Sequence, residues 1–369
     1  MSQGELHKTH FFFKCLLVIT LFLLIQLGNG KLSRASNESN LIAADNQHIT
    51  LTSAKVRKID NAVSRAKVWG GTLLITASGS KKITYRTYGY ADYQHKVRNT
   101  VTELYPLSSL QKAYTAFMIE RLVSAGKIRL DENISAFYPQ IKYAHQITIR
   151  ELLNHTSGIQ MAEPEPREVL HGDQAALNWT ITHLTSTGIH KWNYSNANYT
   201  LLAGVITQIT KRPFSTDLNS EIIQPLNLRE TYIWDQLPTR SLVPDSYTAT
   251  KTPPLAPFMG TRPLLSSELG CGNLYSSITN YYTFINALQS QKLLNHAQFV
   301  QLMGTHAGYS GGIYYSSFFH HAEGADMNYH TFYYGTSQNK LTIIFFTNRC
   351  ASMTTGNELI KTIHDIVLS

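Results

Sequence analysis

Cysteine is scarce in this chain, with 3 among 369 residues, and Cys15 lies in an apolar stretch near the N-terminus, so Cys271 and Cys350 alone could belong to a folded domain. There is no C-x-x-C pair, which excludes a disulfide scaffold; one bridge and two buried free thiols both remain open. The fifteen histidines include no H-E-x-x-H and find no partner cysteines, so neither a metal nor a cofactor is expected. Although the formal net charge is +8, no lysine or arginine run stands out, and nothing points to nucleic acid. A modest positive field suits encounter with an anionic polymer or membrane face, and it equally suits a merely soluble basic surface.

Long apolar runs are also missing, with one exception. Lys8 and Lys14 precede a thirteen-residue apolar run from Cys15 to Leu27, followed by the small residues Gly28 and Gly30. That order is the layout of a secretory signal over residues 1–30. The run falls short of the roughly 20 residues of a spanning helix, yet extended to 11–27 it could serve as an uncleaved membrane anchor. Either way the rest of the chain is expected to be exported. Residues 1–30 carry two lysines and one glutamate, which leaves +7 for the exported part.

Residues 31–50 are polar and aperiodic and read as a linker. From there on, a chain that is 43% apolar overall has enough core for one large domain, 51–369. Val56, Ile59, Val63 and Ala66 recur at helical spacing, and Gly70 and Gly71 are expected to stop that helix. The run G-T-L-L-I-T-A-S-G-S-K-K-I-T-Y-R-T-Y predicts a hairpin turning at Ser78-Gly79-Ser80. A helix follows from Ser108, then short helices and proline-punctuated loops over 131–272. After them come a helix near 276–289, three strands, and a closing amphipathic helix. This order predicts an α+β fold: an antiparallel sheet built from both ends of the chain (51–130 with 273–369), flanked by helices, with a mostly α-helical lobe (131–272) inserted. A site at the seam is the default expectation.

S-x-x-K occurs five times, at Ser64/Lys67, Ser78/Lys81, Ser109/Lys112, Ser124/Lys127 and Ser337/Lys340. Only Ser109/Lys112 opens a long apolar helix. Unpaired N–H groups at a helix start can hold an oxyanion, and residues i and i+3 share a face, which brings the Lys112 amine to the Ser109 hydroxyl. Ser109 is therefore the candidate nucleophile, Lys112 its base, and Ser108 the capping residue. To act as a base, Lys112 must shed its proton near neutral pH, which burial and a nearby cation can bring about. Read alone, the pattern is also that of a capped helix with a surface lysine. Among 21 tyrosines, Tyr194 is the only one in a Y-x-N pattern. A lysine nearby can stabilise its phenolate and let it relay a proton, while Asn196 can orient the lysine or a substrate amide.

Taken together, G-Y-A-D at 89–92, S-S-L-Q-K at 108–112, L-L-N-H-T-S-G-I at 152–159, Y-S-N-A-N-Y at 194–199, E-I-I-Q-P-L-N-L at 221–228, G-C-G-N-L-Y-S-S at 270–277 and F-F-T-N at 345–348 resemble the serine β-lactamase and penicillin-binding-protein superfamily. The likeness is to the branch of class C β-lactamases, DD-peptidases and related esterases. It implies a β-lactamase/transpeptidase-like fold, with Ser109 as nucleophile, Lys112 as base, and Tyr194 and Asn196 as the second motif. Relatives carry K-T-G or H-x-G on the strand edging the site. Here His321 aligns with the histidine and Glu323 takes the glycine position, where a carboxylate would repel a substrate carboxylate and attract an ammonium. A one-residue shift would instead place Gly324 in the motif and point Glu323 to solvent. Gly308-Tyr309-Ser310-Gly311-Gly312 satisfies G-x-S-x-G, but lacks the strand before and helix after that a nucleophile elbow needs.

The resemblance implies an exported serine hydrolase acting on D-alanyl groups of cell-wall polymers. The altered third motif and the basic charge favour D-alanyl esters of teichoic acid over the D-Ala-D-Ala end of peptidoglycan peptides, with β-lactams behind both. A wall-binding or sensory protein that kept the fold and lost turnover is the rival of another class.

Overall fold

The computed structural model describes residues 49–369 apart from 81, 240, 241, 249–256, 259, 260, 305–307 and 317. The apolar stretch 11–27 and nearly all of the expected linker lie outside the described residues. Among the described residues, no helix is long and apolar enough to cross a membrane.

Five helices frame the site: α1 (Ser53–Arg65), α2 (Lys112–Ser124), α3 (Asn196–Thr210), α4 (Ile278–Gln289) and α5 (Met353–Leu368). The Thr52 side chain caps α1 by accepting from the Lys55 N–H, which satisfies one of the donors a helix start leaves open. The helix ends at Arg65, and strand β1 (Val68–Ala77) has begun by Val68. Gly70 and Gly71 therefore do not stop the helix; they lie inside the strand. The register slips at both, and a Cβ on Gly71 would fall 2.3 Å from the Phe346 carbonyl oxygen. The pair is a bulge where a neighbouring backbone presses close.

β1 pairs with β2 (Thr84–Tyr88) through the expected hairpin. The remaining strands of this sheet are β3 (Gly308–Ser310), β4 (Ile313–Tyr315), β5 (Phe319–Asp326), β6 (Tyr329–Thr336) and β7 (Leu341–Cys350). The sheet runs β3-β4-β5-β6-β7-β1-β2 with every pairing antiparallel, so both ends of the chain do build it, and the fold is α+β.

Side chains alternate between the two faces of the sheet. On one, Leu73, Ile75, Phe332, Ile343 and Phe345 pack under α1 and α5 through Ile59, Val63, Leu359, Ile360 and Ile363. Gly356 of α5 permits this contact, since a Cβ there would fall 2.0 Å from the Phe332 ring. On the other face, Leu74, Tyr333, Ile344 and Phe346 meet α2 and α4. α2 is buried all round its circumference, including Ala113, Tyr114, Phe117, Met118 and Ile119, and Tyr114 stacks on Phe284 of α4 at 3.6 Å. Each such apolar side chain contributes roughly 2 kcal/mol, enough to fix α2 as the central rod. Two of the sequence motifs prove to be one tie: Asn348 of F-F-T-N donates to the Tyr90 carbonyl of G-Y-A-D at 2.9 Å.

Gly308–Ser310 and Ile313–Tyr315 form a hairpin, not an elbow. Its turn glycine Gly312 has φ +82, and a Cβ there would lie 2.3 Å from the Ala113 nitrogen, so the glycines let this turn abut the start of α2. Cys271 and Cys350 are free thiols, both buried.

Candidate active site

Ser108–Gln111 form one 3-10 turn that runs into α2. Ser108 does not cap the helix. It sits at φ +50 in the left-handed region, and its Oγ is buried without a partner. The tight turn does what an ordinary cap would not: in 3-10 geometry side chains three apart eclipse, and Lys112 Nζ lies 3.0 Å from Ser109 Oγ. As the second residue of that turn, Ser109 has no turn carbonyl for its own N–H.

Lys112 is wholly buried, and its Nζ also donates to the Cys271 carbonyl at 3.0 Å. Burial pulls its pKa below the ordinary lysine range, opposed by Cys271, Glu163 and Glu268. Tyr194 Oη donates to Ser109 Oγ at 2.7 Å, and Lys112 Nζ lies 5.0 Å from the centre of its ring. Burial pushes the phenol well above its usual pKa. Tyr194 therefore rests as a protonated donor and not as the phenolate suggested by the sequence. Asn196 opens α3; its main-chain N–H donates to Glu163 Oε1 at 3.3 Å, and its Oδ1 is buried and unpartnered.

The third motif has a different register from the His321-x-Glu323 alignment. A Cβ on Gly324 would fall 2.6 Å from the Leu107 carbonyl oxygen and 3.0 Å from Ser108 Cβ, so Gly324 is the glycine against the turn that carries Ser109. Two residues earlier stands Ala322, buried on the same face; the place of the basic residue holds a methyl group. His321 and Glu323 alternate to the opposite face of β5. His321 stacks on Tyr314 at 4.8 Å, and burial lowers its pKa to about 4, leaving it neutral. Glu323 accepts from Asn357 of α5 at 2.5 Å instead of pointing freely to solvent, and burial raises its pKa. β4 pairs with β5 only at His320 and His321, so from Ala322 on the outer edge of β5 has no strand partner among the described residues. That open edge can offer a main-chain N–H beside Ser109.

Three buried acidic groups escaped the sequence reading, two of which, Glu163 and Glu268, act on Lys112. Glu163, at φ +54, bonds Asn196 as above, and burial raises its pKa against the pull of Lys112. Glu268 lies against the glycine turn, 2.6 Å from where a Gly272 Cβ would be, with Oε2 buried and unpartnered. Burial holds Glu268 well above the carboxylate range, and the charges of Asp326 and Glu163 push the same way. Asp326, at the end of β5, is raised by burial as well. No spacing ties these acids to Ser109. Only the proline-rich context of Glu163 marked a loop, and a loop acid is ordinarily just solvated.

Chemically, the cluster joins a hydroxyl that accepts from an amine and a phenol, main-chain N–H groups for a developing oxyanion, and buried carboxyl groups beside the amine. Such a set suits acyl transfer through a serine ester. The Beta-lactamase family model matches residues 57–368. The teichoic acid D-alanine hydrolase of Staphylococcus aureus is 26% identical over 242 residues, 65% of this chain and 59% of the relative's own length. Among solved structures, FmtA from Staphylococcus aureus superposes with a TM-score of 0.74 at 23% identity, covering 90% of this chain and 94% of FmtA. The D-amino acid amidase of Ochrobactrum anthropi SV3 reaches the same TM-score at 22% identity, covering 85% and 97%. The chain belongs to the Beta-lactamase family, within the superfamily of serine β-lactamases and penicillin-binding proteins.

Proposed function

We propose that this protein is an exported acyl hydrolase that removes D-alanyl groups from cell-wall polymer through an acyl-enzyme, with D-alanine esterified to teichoic acid as the favoured substrate. Residues 51–369 form the hydrolase domain and residues 1–30 the signal or anchor. The observation that carries the chemistry is Ser109 Oγ accepting from both the buried Lys112 Nζ and Tyr194 Oη in a half-buried cluster. Neutral Lys112 takes the hydroxyl proton as Oγ bonds the ester carbon. The Ser109 N–H and the open edge of β5 hold the oxyanion. The proton passes through Tyr194 to the departing alkoxide, and water then attacks the Ser109 ester to release D-alanine and restore the hydroxyl.

What favours the alanyl ester is the charge around the reacting atoms. A D-Ala-D-Ala peptide or β-lactam brings a carboxylate, and Ala322 offers it no partner. A D-alanyl ester brings an ammonium, which would draw the proton off Glu163 and Glu268, the carboxyl groups that burial biases toward the neutral form beside Lys112. The name of the staphylococcal relative and the net charge of +8, suited to a phosphate polymer, lend the same support. The replaced third motif also favours a second reading, a wall-binding or sensory protein without turnover. A fluorophosphonate probe separates the two: wild type should be labelled and Ser109→Ala should not, and unlabelled wild type would sink the enzyme reading. Offered D-alanylated teichoic acid and a D-Ala-D-Ala pentapeptide in parallel, the protein should release alanine faster from the first; release from the peptide alone would overturn the ester preference.

A further inference from the structure

Asn193 and Ser195, the neighbours of Tyr194 on either side, are bonded to one and the same residue. The Asn193 N–H donates to the His155 carbonyl at 2.8 Å, and the Ser195 N–H donates to His155 Nδ1 at 3.3 Å. Asn198 Nδ2 donates to that nitrogen too, at 2.9 Å, while Asn198 Oδ1 accepts from Ser157 Oγ at 2.7 Å. A nitrogen that accepts cannot carry the proton, so the imidazole is the Nε2–H tautomer. His155 is wholly buried, sits at φ +56, and lays its ring against Tyr194 at 4.3 Å and Tyr309 at 4.6 Å. Burial first and the charge of Lys112 second hold it well below the ordinary histidine pKa, which keeps the accepting tautomer in place.

We infer that His155 is the positioning residue for Tyr194: through its carbonyl and its Nδ1 it fixes the main chain on both sides of the tyrosine and so aims the phenol at Ser109 Oγ. A histidine buried only for packing would need its ring but not its accepting nitrogen. The inference rests on the reading of Ser109 as nucleophile and Tyr194 as proton carrier, and it assigns the H-T-S-G segment a role in the chemistry. If the aim of Tyr194 is what His155 provides, its loss should matter most where the leaving group needs a proton. An alkoxide does; p-nitrophenolate leaves without one.

The test compares kcat/KM of the full chain for D-alanine methyl ester and p-nitrophenyl acetate in wild type, Tyr194→Phe, His155→Leu and His155→Asn. His155→Leu should lose about 10- to 100-fold on the methyl ester and far less on the nitrophenyl ester, matching the profile of Tyr194→Phe. His155→Asn, which returns an acceptor near Nδ1, should regain most of that loss. Adding His155→Leu to Tyr194→Phe should cost little more, because the two act as one unit. Equal losses on both esters, or an Asn variant no better than Leu, would overturn the inference and leave the hydrolase reading standing. Wild type that takes no fluorophosphonate label on Ser109 would remove both.

Discussion

The two walls of the site are built to different standards. On the helical wall the reacting atoms are all tied: Ser109 Oγ accepts twice, Lys112 Nζ donates twice, and the segment around Tyr194 is bonded on both sides. On the strand wall a methyl group stands where relatives keep a cation, and Asp326 at the end of β5 sits with a burial-raised pKa. The contrast separates chemistry from recognition. Acyl transfer needs atoms fixed to a fraction of an ångström, which a buried 3-10 turn and helix provide. Recognition needs only a charge and a shape, which a strand edge can exchange without touching the nucleophile.

Breaking the helical wall should have the largest effect. Ser109→Ala should lower ester turnover by about 10⁴-fold or more and abolish fluorophosphonate labelling, with an unchanged circular-dichroism spectrum. Tyr194→Phe should cost about 10²- to 10⁴-fold on alkyl esters. Labelling that survives Ser109→Ala would move the nucleophile elsewhere. The join between the walls comes next. Gly324→Ala puts a methyl 2.6 Å from the Leu107 carbonyl oxygen, so the strand edge must retreat from the nucleophile turn. Turnover should fall about 100-fold while stability drops by only about 1–3 kcal/mol, measured by denaturant titration alongside kcat/KM. A variant with full activity would show that the edge does not approach the reacting atoms.

The same contrast decided what could be read from the sequence. Ser109, Lys112 and Tyr194 were legible because local spacing and a single Y-x-N pattern carry them, and the antiparallel sheet was legible from its β-rich runs. The misreadings each involve a position that only a tertiary neighbour explains. Gly70 and Gly71 look like a helix stop and instead make room for β7. Ser108 looks like a cap, but the approach of Gly324 and the turn into α2 hold it in a left-handed conformation. His321 matched a motif by letter, while the face on which Gly324 meets Leu107 sets the true register. Glu163 and Glu268 lie 54 and 159 residues from Ser109, and nothing local announces that burial will bring them to Lys112.

Altering the charge beside Lys112 should change preference more than rate. Glu163→Gln should reduce the preference for D-alanine methyl ester over the propionate ester, which lacks the ammonium, by about tenfold. An undiminished preference would assign the ammonium to Glu268 and Asp326 instead. The same variant tests the electrostatic link between Glu163 and Lys112, with the sign fixed in advance. Acylation requires neutral Lys112, so kcat/KM climbs as pH rises through the Lys112 pKa. Burial already lowers that pKa, and the Glu163 carboxylate opposes the shift by stabilising the ammonium. Removing the carboxylate should let the Lys112 pKa fall further and carry the acidic limb of the pH profile to lower pH. The displacement should be small, because burial raises the pKa of Glu163 itself and its charge fades toward acid. A limb that moves to higher pH would mean that Glu163, and not Lys112, supplies the group whose deprotonation starts the reaction.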